Sequence, residues 1–69
     1  MTERVLSVKG MHCRSCEMLL TDAVSQVEGV EGVVADCRRG TVTISCGAGA
    51  IDAVAERVAR AIRREGYRV

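Results

Sequence analysis

Residues 32–45 read GVVADCRRGTVTIS, and the reading of this stretch decides the fold. Val33, Ala35 and Cys37 share one face by alternation, and Val42, Ile44 and Cys46 share a face again after the intervening RRG. Two period-two segments joined by a short glycine-bearing turn predict a β-hairpin. An in-register hairpin sets Cys46 opposite residues near Val33, several positions from Cys37. No Cys37–Cys46 disulfide is expected, because the Cα atoms would lie well beyond the ~7 Å that such a bridge tolerates.

On the N-terminal side of the hairpin, RVLSVKG alternates Arg4, Leu6 and Val8 with Val5, Ser7 and Lys9, which predicts a strand ended by Gly10. From Cys16 onward, apolar residues fall at Cys16, Leu19, Leu20, Ala23, Val24 and Val27. These spacings draw one helical stripe, with Gly29 as its stop and Ser15 as its candidate cap, or Cys13 to Ser15 as its irregular first turn. On the C-terminal side, CGAGA breaks the strand, and Ile51, Val54, Ala55, Val58, Ala61 and Ile62 return at helical spacing with arginines opposite. Gly66 stands where a helix C-terminal glycine belongs, and YRV predicts a last short strand. The order β-α-β-β-α-β is that of an α+β, ferredoxin-like sandwich. It predicts a four-stranded antiparallel sheet, strand order 4-1-3-2, covered on one face by two helices. Residues 1–69 read as a single domain, with no repeat, linker or low-complexity segment.

Composition narrows the function classes. The chain has no Phe, no Trp and one Tyr, so it lacks the aromatic platforms on which single-stranded nucleic acid stacks. A net charge of +1 is too balanced to imply nucleic acid or acidic membranes, and a nucleic-acid partner is not expected. Nothing approaches the ~20 apolar residues of a membrane span, so direct membrane insertion is not expected either. No secretory signal pattern opens the chain, which predicts a reducing cytoplasmic setting. There the four cysteines are expected as thiols with metal or redox roles rather than as a disulfide framework.

Chain direction sorts the ends of the predicted sheet. The loop MHCRSC, the turn CRRG and the EGY junction fall at one end, which gathers Cys13, Cys16, Arg14, Arg38, Arg39 and Tyr67. Cys46 is expected at the other end. Cys13 in the loop and Cys16 in the first helical turn lie where unpaired N–H groups and the helix dipole favour thiolate, and Arg14 adds to that bias. Two soft thiolates with no hard oxygen ligand nearby favour Cu(I) among the common metals. Met11, between strand and helix, is expected to pack in the core and buttress the loop, a thioether ligand being the other reading.

GMHCRSC resembles the GMxCxxC metal loop of heavy-metal-associated domains, which include small copper chaperones and the N-terminal modules of metal-transporting P-type ATPases. GVVADCRRGTVTI is similar to the second and third strands of that family, and EGYRV to its closing Gly-Tyr segment. The resemblance covers nearly the whole chain. It implies reversible binding of Cu(I) by Cys13 and Cys16 and transfer to a partner, a metal-transporting P-type ATPase or another CxxC protein. It also implies that Tyr67 approaches the metal; the other reading of Tyr67 is a residue covering the edge of the core. Met1 and the short ends favour a free carrier over a module cut from an ATPase.

Three residues depart from the family pattern. His12 adds an imidazole nitrogen and shifts preference toward zinc, or donates across a docking surface, or simply faces solvent. Cys37 sits on an edge strand about two strand spacings, ~9.6 Å, from the first strand. It is expected as a half-buried thiol, with a ligand or cross-link in a metal-bridged dimer as the alternative; the metal-free chain is expected to be monomeric. Cys46 is expected to face the core. Zn(II), Cd(II) and Hg(II) remain the competing ions.

Two other readings compete with this one. A thioredoxin-like redox enzyme needs a larger fold and a cis-proline, and this chain has no proline, so it is not read as an enzyme. A structural or regulatory zinc module using Cys13, Cys16, Cys37 and Cys46 requires a closed tetrahedral set, yet Cys46 is expected at the wrong end. Arg14, Arg38 and Arg39 rim the site, either steering an acidic partner or keeping the rim soluble. Arg57, Arg60 and Arg64 share an outward face of the second helix and are expected to be solvated.

Overall fold

Leu20, Ile44, Ile62, Val24, Val42, Val54 and Val58 lose essentially all contact with water, and they come from two helices and one central strand. The computed structural model describes residues 1–69. Its elements run β1 (Thr2–Ser7), α1 (Arg14–Ser25), β2 (Gly32–Asp36), β3 (Thr41–Cys46), a short 3-10 turn (Ala48–Ala50) and α2 (Ile51–Arg64). The strands form an antiparallel sheet in the order β1-β3-β2. Alternation along β3 buries Val42, Ile44 and Cys46 and leaves Thr41, Thr43 and Ser45 half-covered on the other face. Both helices therefore lie on the Val42–Ile44–Cys46 side, α1 chiefly over β2 and α2 over β1 and β3. Fully burying an aliphatic side chain of this size is worth about 1.5–3 kcal/mol, so this cluster dominates folding.

α2 is the most strongly amphipathic element: Val54, Ala55, Val58, Ala61 and Ile62 are buried and the arginines face out. Asp52 in its first turn and Arg63 and Arg64 in its last turn complement the helix dipole. At its end, Gly66 takes φ +95°, its N–H donates to the Arg63 carbonyl, and the Tyr67 N–H reaches back to the Ile62 carbonyl. That pair of bonds is a Schellman cap, and it fixes where Tyr67 leaves the helix.

Several expectations are corrected. The sheet has three strands, not four: the segment after Gly66 contributes one bridge, with Lys9 N–H donating to the Arg68 carbonyl at 2.8 Å and Arg68 N–H to the Lys9 carbonyl at 3.2 Å. Capping uses the Tyr67 N–H, so Arg68 alone pairs. α1 begins at Arg14 with Cys13 as its cap residue, so Ser15 is not the cap but lies inside the first turn, the other of its two readings, and the helix ends at Ser25, before Gly29. Leu19 belongs to the α1 stripe yet stays 45% exposed, flanking the groove between the helices. β2 stops at Asp36, so Cys37 lies in the turn. The Asp36 side chain explains this, because its Oδ1 accepts the Arg38 and Arg39 N–H groups and closes the turn one residue early. The register pairs Val33 with Ile44, and Cys46 lies past the start of β2, opposite Thr2 of β1.

Candidate metal centre

The pair of cysteines is presented by the junction between β1 and α1. Val8 and Met11 anchor that junction, each almost wholly buried in the core cluster. Gly10 bends the chain with φ +98°, a conformation that side chains resist, and a Cβ there would meet the Tyr67 ring at 3.4 Å. Met11 is therefore a core residue, and the bend it pins sends His12 and Cys13 outward, both exposed.

Cys13 has extended backbone angles and the cap position of α1, while Cys16 sits in the first turn, half-buried against the core cluster. Their sulfurs are 3.1 Å apart. The Ser15 hydroxyl lies 3.2 Å from the Cys13 sulfur. When Cys13 is the thiolate, Ser15 donates to it, and so does the Cys16 thiol. Those two hydrogen bonds, with smaller help from the N–H groups of Cys16 and Ser15 and against some desolvation, bring its pKa down from 9.0 to about 7. The sequence offered Ser15 as a helix cap or as part of an irregular first turn; its place two residues after Cys13 was the one signal of this further role.

Tyr67 stands beside the pair. Its hydroxyl pKa is pushed up from 10.0 to about 12, first by hydrogen bonding to Cys16, then by burial and by the negative charge of Cys16, Cys13 and Glu65. The phenol keeps its proton. The ring also packs against the core cluster, as the reading of Tyr67 as a residue covering the edge of the core expects.

Cys37 is half-buried. Its thiol pKa is raised, first by desolvation and then by the Glu17 carboxylate. Glu17 accepts the Cys37 backbone N–H at 2.9 Å. This contact was not foreseen, since nothing in the sequence links residues twenty positions apart. Cys46 is fully buried at the far end of β3. All four cysteines are free. No group of three or more His, Cys, Asp or Glu side chains gathers to hold a metal, so neither His12 nor the later cysteines join the pair. Arg14, Glu17, Cys37 and Arg38 line one shallow cleft beside the loop, while Arg39 leans toward Asp36 at 3.9 Å. On α2, Arg60 pairs with Glu56 at 2.9 Å, while Arg57 and Arg64, both exposed, line the groove against α1 rather than facing solvent alone, and Arg57 donates to the Glu28 carbonyl at 3.3 Å. No helix is long and apolar enough to cross a membrane.

Comparison with known proteins places this arrangement. None of the curated proteins matches the chain. Among solved structures, the CopZ metallochaperone superposes with a TM-score of 0.85 at 24% identity, covering 99% of this chain and 98% of that one. The oxidized MerP of Ralstonia metallidurans CH34 is similar at 28% identity and TM-score 0.82, over 97% of this chain and 90% of that one. A copper-binding domain from HMA7, a P-type ATPase, matches at 18% identity and TM-score 0.83, over 99% of this chain and 89% of that one, a likeness of fold. The family description "heavy-metal-associated domain" fits residues 5–68, nearly the full length. The chain belongs to the heavy-metal-associated domain family.

Proposed function

We propose that this chain is a carrier of soft metal ions, with Cu(I) as its preferred cargo, and that Cys13 and Cys16 are the ligands. The observation that carries the reading is the pair of sulfurs 3.1 Å apart at an exposed helix start, with no third His, Cys, Asp or Glu ligand beside them. Two thiolates suit an ion content with two soft ligands, whereas Zn(II) in a structural site calls for four. Zn(II), Cd(II) and Hg(II) are the competing cargoes. Membership of a family of metal-binding carriers supports transport rather than catalysis.

Transfer proceeds by thiolate exchange. A partner thiolate adds to the two-coordinate ion, and a three-coordinate intermediate forms. One metal–sulfur bond to this chain then breaks, so bond making offsets bond breaking. Cys13, exposed at the cap, leaves first; Cys16, half-buried, holds longer. The Tyr67 hydroxyl donates toward the sulfur charge, and Arg14 and Arg38 offset the net negative charge of a Cu(I)–dithiolate. An acceptor with a similar loop, such as the N-terminal module of a metal-transporting P-type ATPase, fits this chemistry. The setting is a reducing cytoplasm. The 69 residues act as one unit, monomeric without metal, with a metal-bridged dimer as the alternative loaded state.

The test is a competition titration under reducing conditions with a Cu(I) chelator and excess Zn(II). One Cu(I) per chain is expected to stay bound, and Cys13→Ser is expected to lose it. Displacement of Cu(I) by Zn(II), or unchanged binding in Cys13→Ser, would overturn the assignment.

A further inference from the structure

The four N–H groups of the β2–β3 turn are satisfied from two sources. Arg38 and Arg39 donate to Asp36 Oδ1 at 3.0 and 3.2 Å, and Gly40 donates to the Asp36 carbonyl at 2.9 Å. The Cys37 N–H instead crosses to α1 and donates to Glu17 Oε2 at 2.9 Å. On the other side of the turn, the Gly40 carbonyl accepts the Val8 N–H at 2.7 Å. Val8 precedes the cysteine loop and Glu17 directly follows Cys16. Both ends of the segment carrying Cys13 and Cys16 are thus fastened to the same turn, once through backbone and once through a side chain.

We propose that Glu17 is a positioning residue for the sulfur pair: by holding the Cys37 N–H, its carboxylate locks the first turn of α1 onto the β2–β3 turn and sets where Cys16 stands relative to Cys13. The proposal rests on the metal-carrying reading above and names a residue that tunes it. A helix start is prone to fray, since its first N–H groups lack intrahelical partners. Here the first intrahelical bond, Glu17 N–H to the Cys13 carbonyl, is 3.1 Å, and it spans the two cysteines. The bond from Glu17 to the turn is charge-assisted and partly shielded from water, which makes it stronger than a neutral surface contact. Without it the Cys37 N–H loses its acceptor, and the first turn of α1 keeps no polar tie to the hairpin. A fixed pair binds more tightly than a loose one, because the ordering is complete before the ion arrives.

Glu17→Ala, Glu17→Gln and Asp52→Ala separate this role from charge and from general stability. Gln keeps an oxygen acceptor without the charge, and Asp52→Ala loses a 2.7 Å ion pair with Arg4 and a favourable dipole position at the start of α2, away from the β2–β3 turn. Two quantities are read: amide hydrogen exchange at residues 13–17 in the metal-free protein, and Cu(I) affinity against a chelator. Glu17→Ala is expected to speed exchange at Glu17, whose N–H makes the first intrahelical bond, and to weaken Cu(I) binding roughly tenfold. Glu17→Gln is expected to recover most of both, and Asp52→Ala to change neither. Wild-type exchange in Glu17→Ala would overturn the proposal, as would a Glu17→Gln variant as impaired as Glu17→Ala. Exchange is read without metal, so it judges the tether even where Cu(I) proves not to be the cargo.

Discussion

A thiol at a helix start, flanked by a serine and a second thiol, is a different reagent from a thiol in a turn. Cys13 has its pKa lowered to about 7, mainly by the Ser15 hydroxyl and the Cys16 thiol, whereas the Cys37 pKa is raised by burial and by Glu17. The two therefore separate in alkylation by iodoacetamide, which needs thiolate. In the metal-free, reduced protein, Cys13 is expected to react first, with a rate that rises through a midpoint of about 7. Cys37 is expected to lag, and buried Cys46 to resist until unfolding. A Cys13 midpoint near 9.0 would contradict the hydrogen-bonding account. The sign for stability follows: a pKa lowered by folding contributes stability that is fully present above 9.0 and is lost as pH falls through about 7. Of these residue-level features, the cysteine spacing and the helix-start location were legible in the sequence. The Ser15 contact was not, because it depends on α1 starting two residues earlier than its apolar stripe.

Between elements, close approach decides which small residues are tolerated. Gly29, in the connection from α1 to β2, has φ +96°, and a Cβ there would lie 2.7 Å from Val54 Cγ2 on α2. Gly29→Ala is expected to cost about 1–3 kcal/mol through both backbone strain and the clash. In a domain of this size each kcal/mol lowers Tm by about 4–8 °C, so thermal unfolding reads it directly. An unchanged Tm would mean that the connection relaxes freely. The hairpin and α2 were legible because their periodicity is strong and their burial agrees with it. The fourth strand was not, since the N–H of Tyr67 is engaged in capping α2, a choice between two acceptors that no periodicity encodes. Cys37 was misplaced for a like reason: the Asp36 side chain closes the turn at the cost of the last strand residue.

At the scale of the whole molecule, chain direction alone separates the two later cysteines. The β-α-β-β-α order carries the sulfur pair, Tyr67 and the arginine-lined cleft to one end, and leaves Cys46 under the far end of β3. That separation distinguishes an open two-thiolate carrier from a closed four-cysteine zinc module, and it is legible in the sequence, because the direction of each element follows from their order. X-ray absorption at the copper edge of the reduced, Cu(I)-loaded protein tests the carrier most directly. The account predicts two sulfur neighbours and no nitrogen, lost on Cys13→Ser and Cys16→Ser and unaffected by Cys46→Ser. A four-coordinate ion that also draws on His12, Cys37 or Cys46 would contradict it.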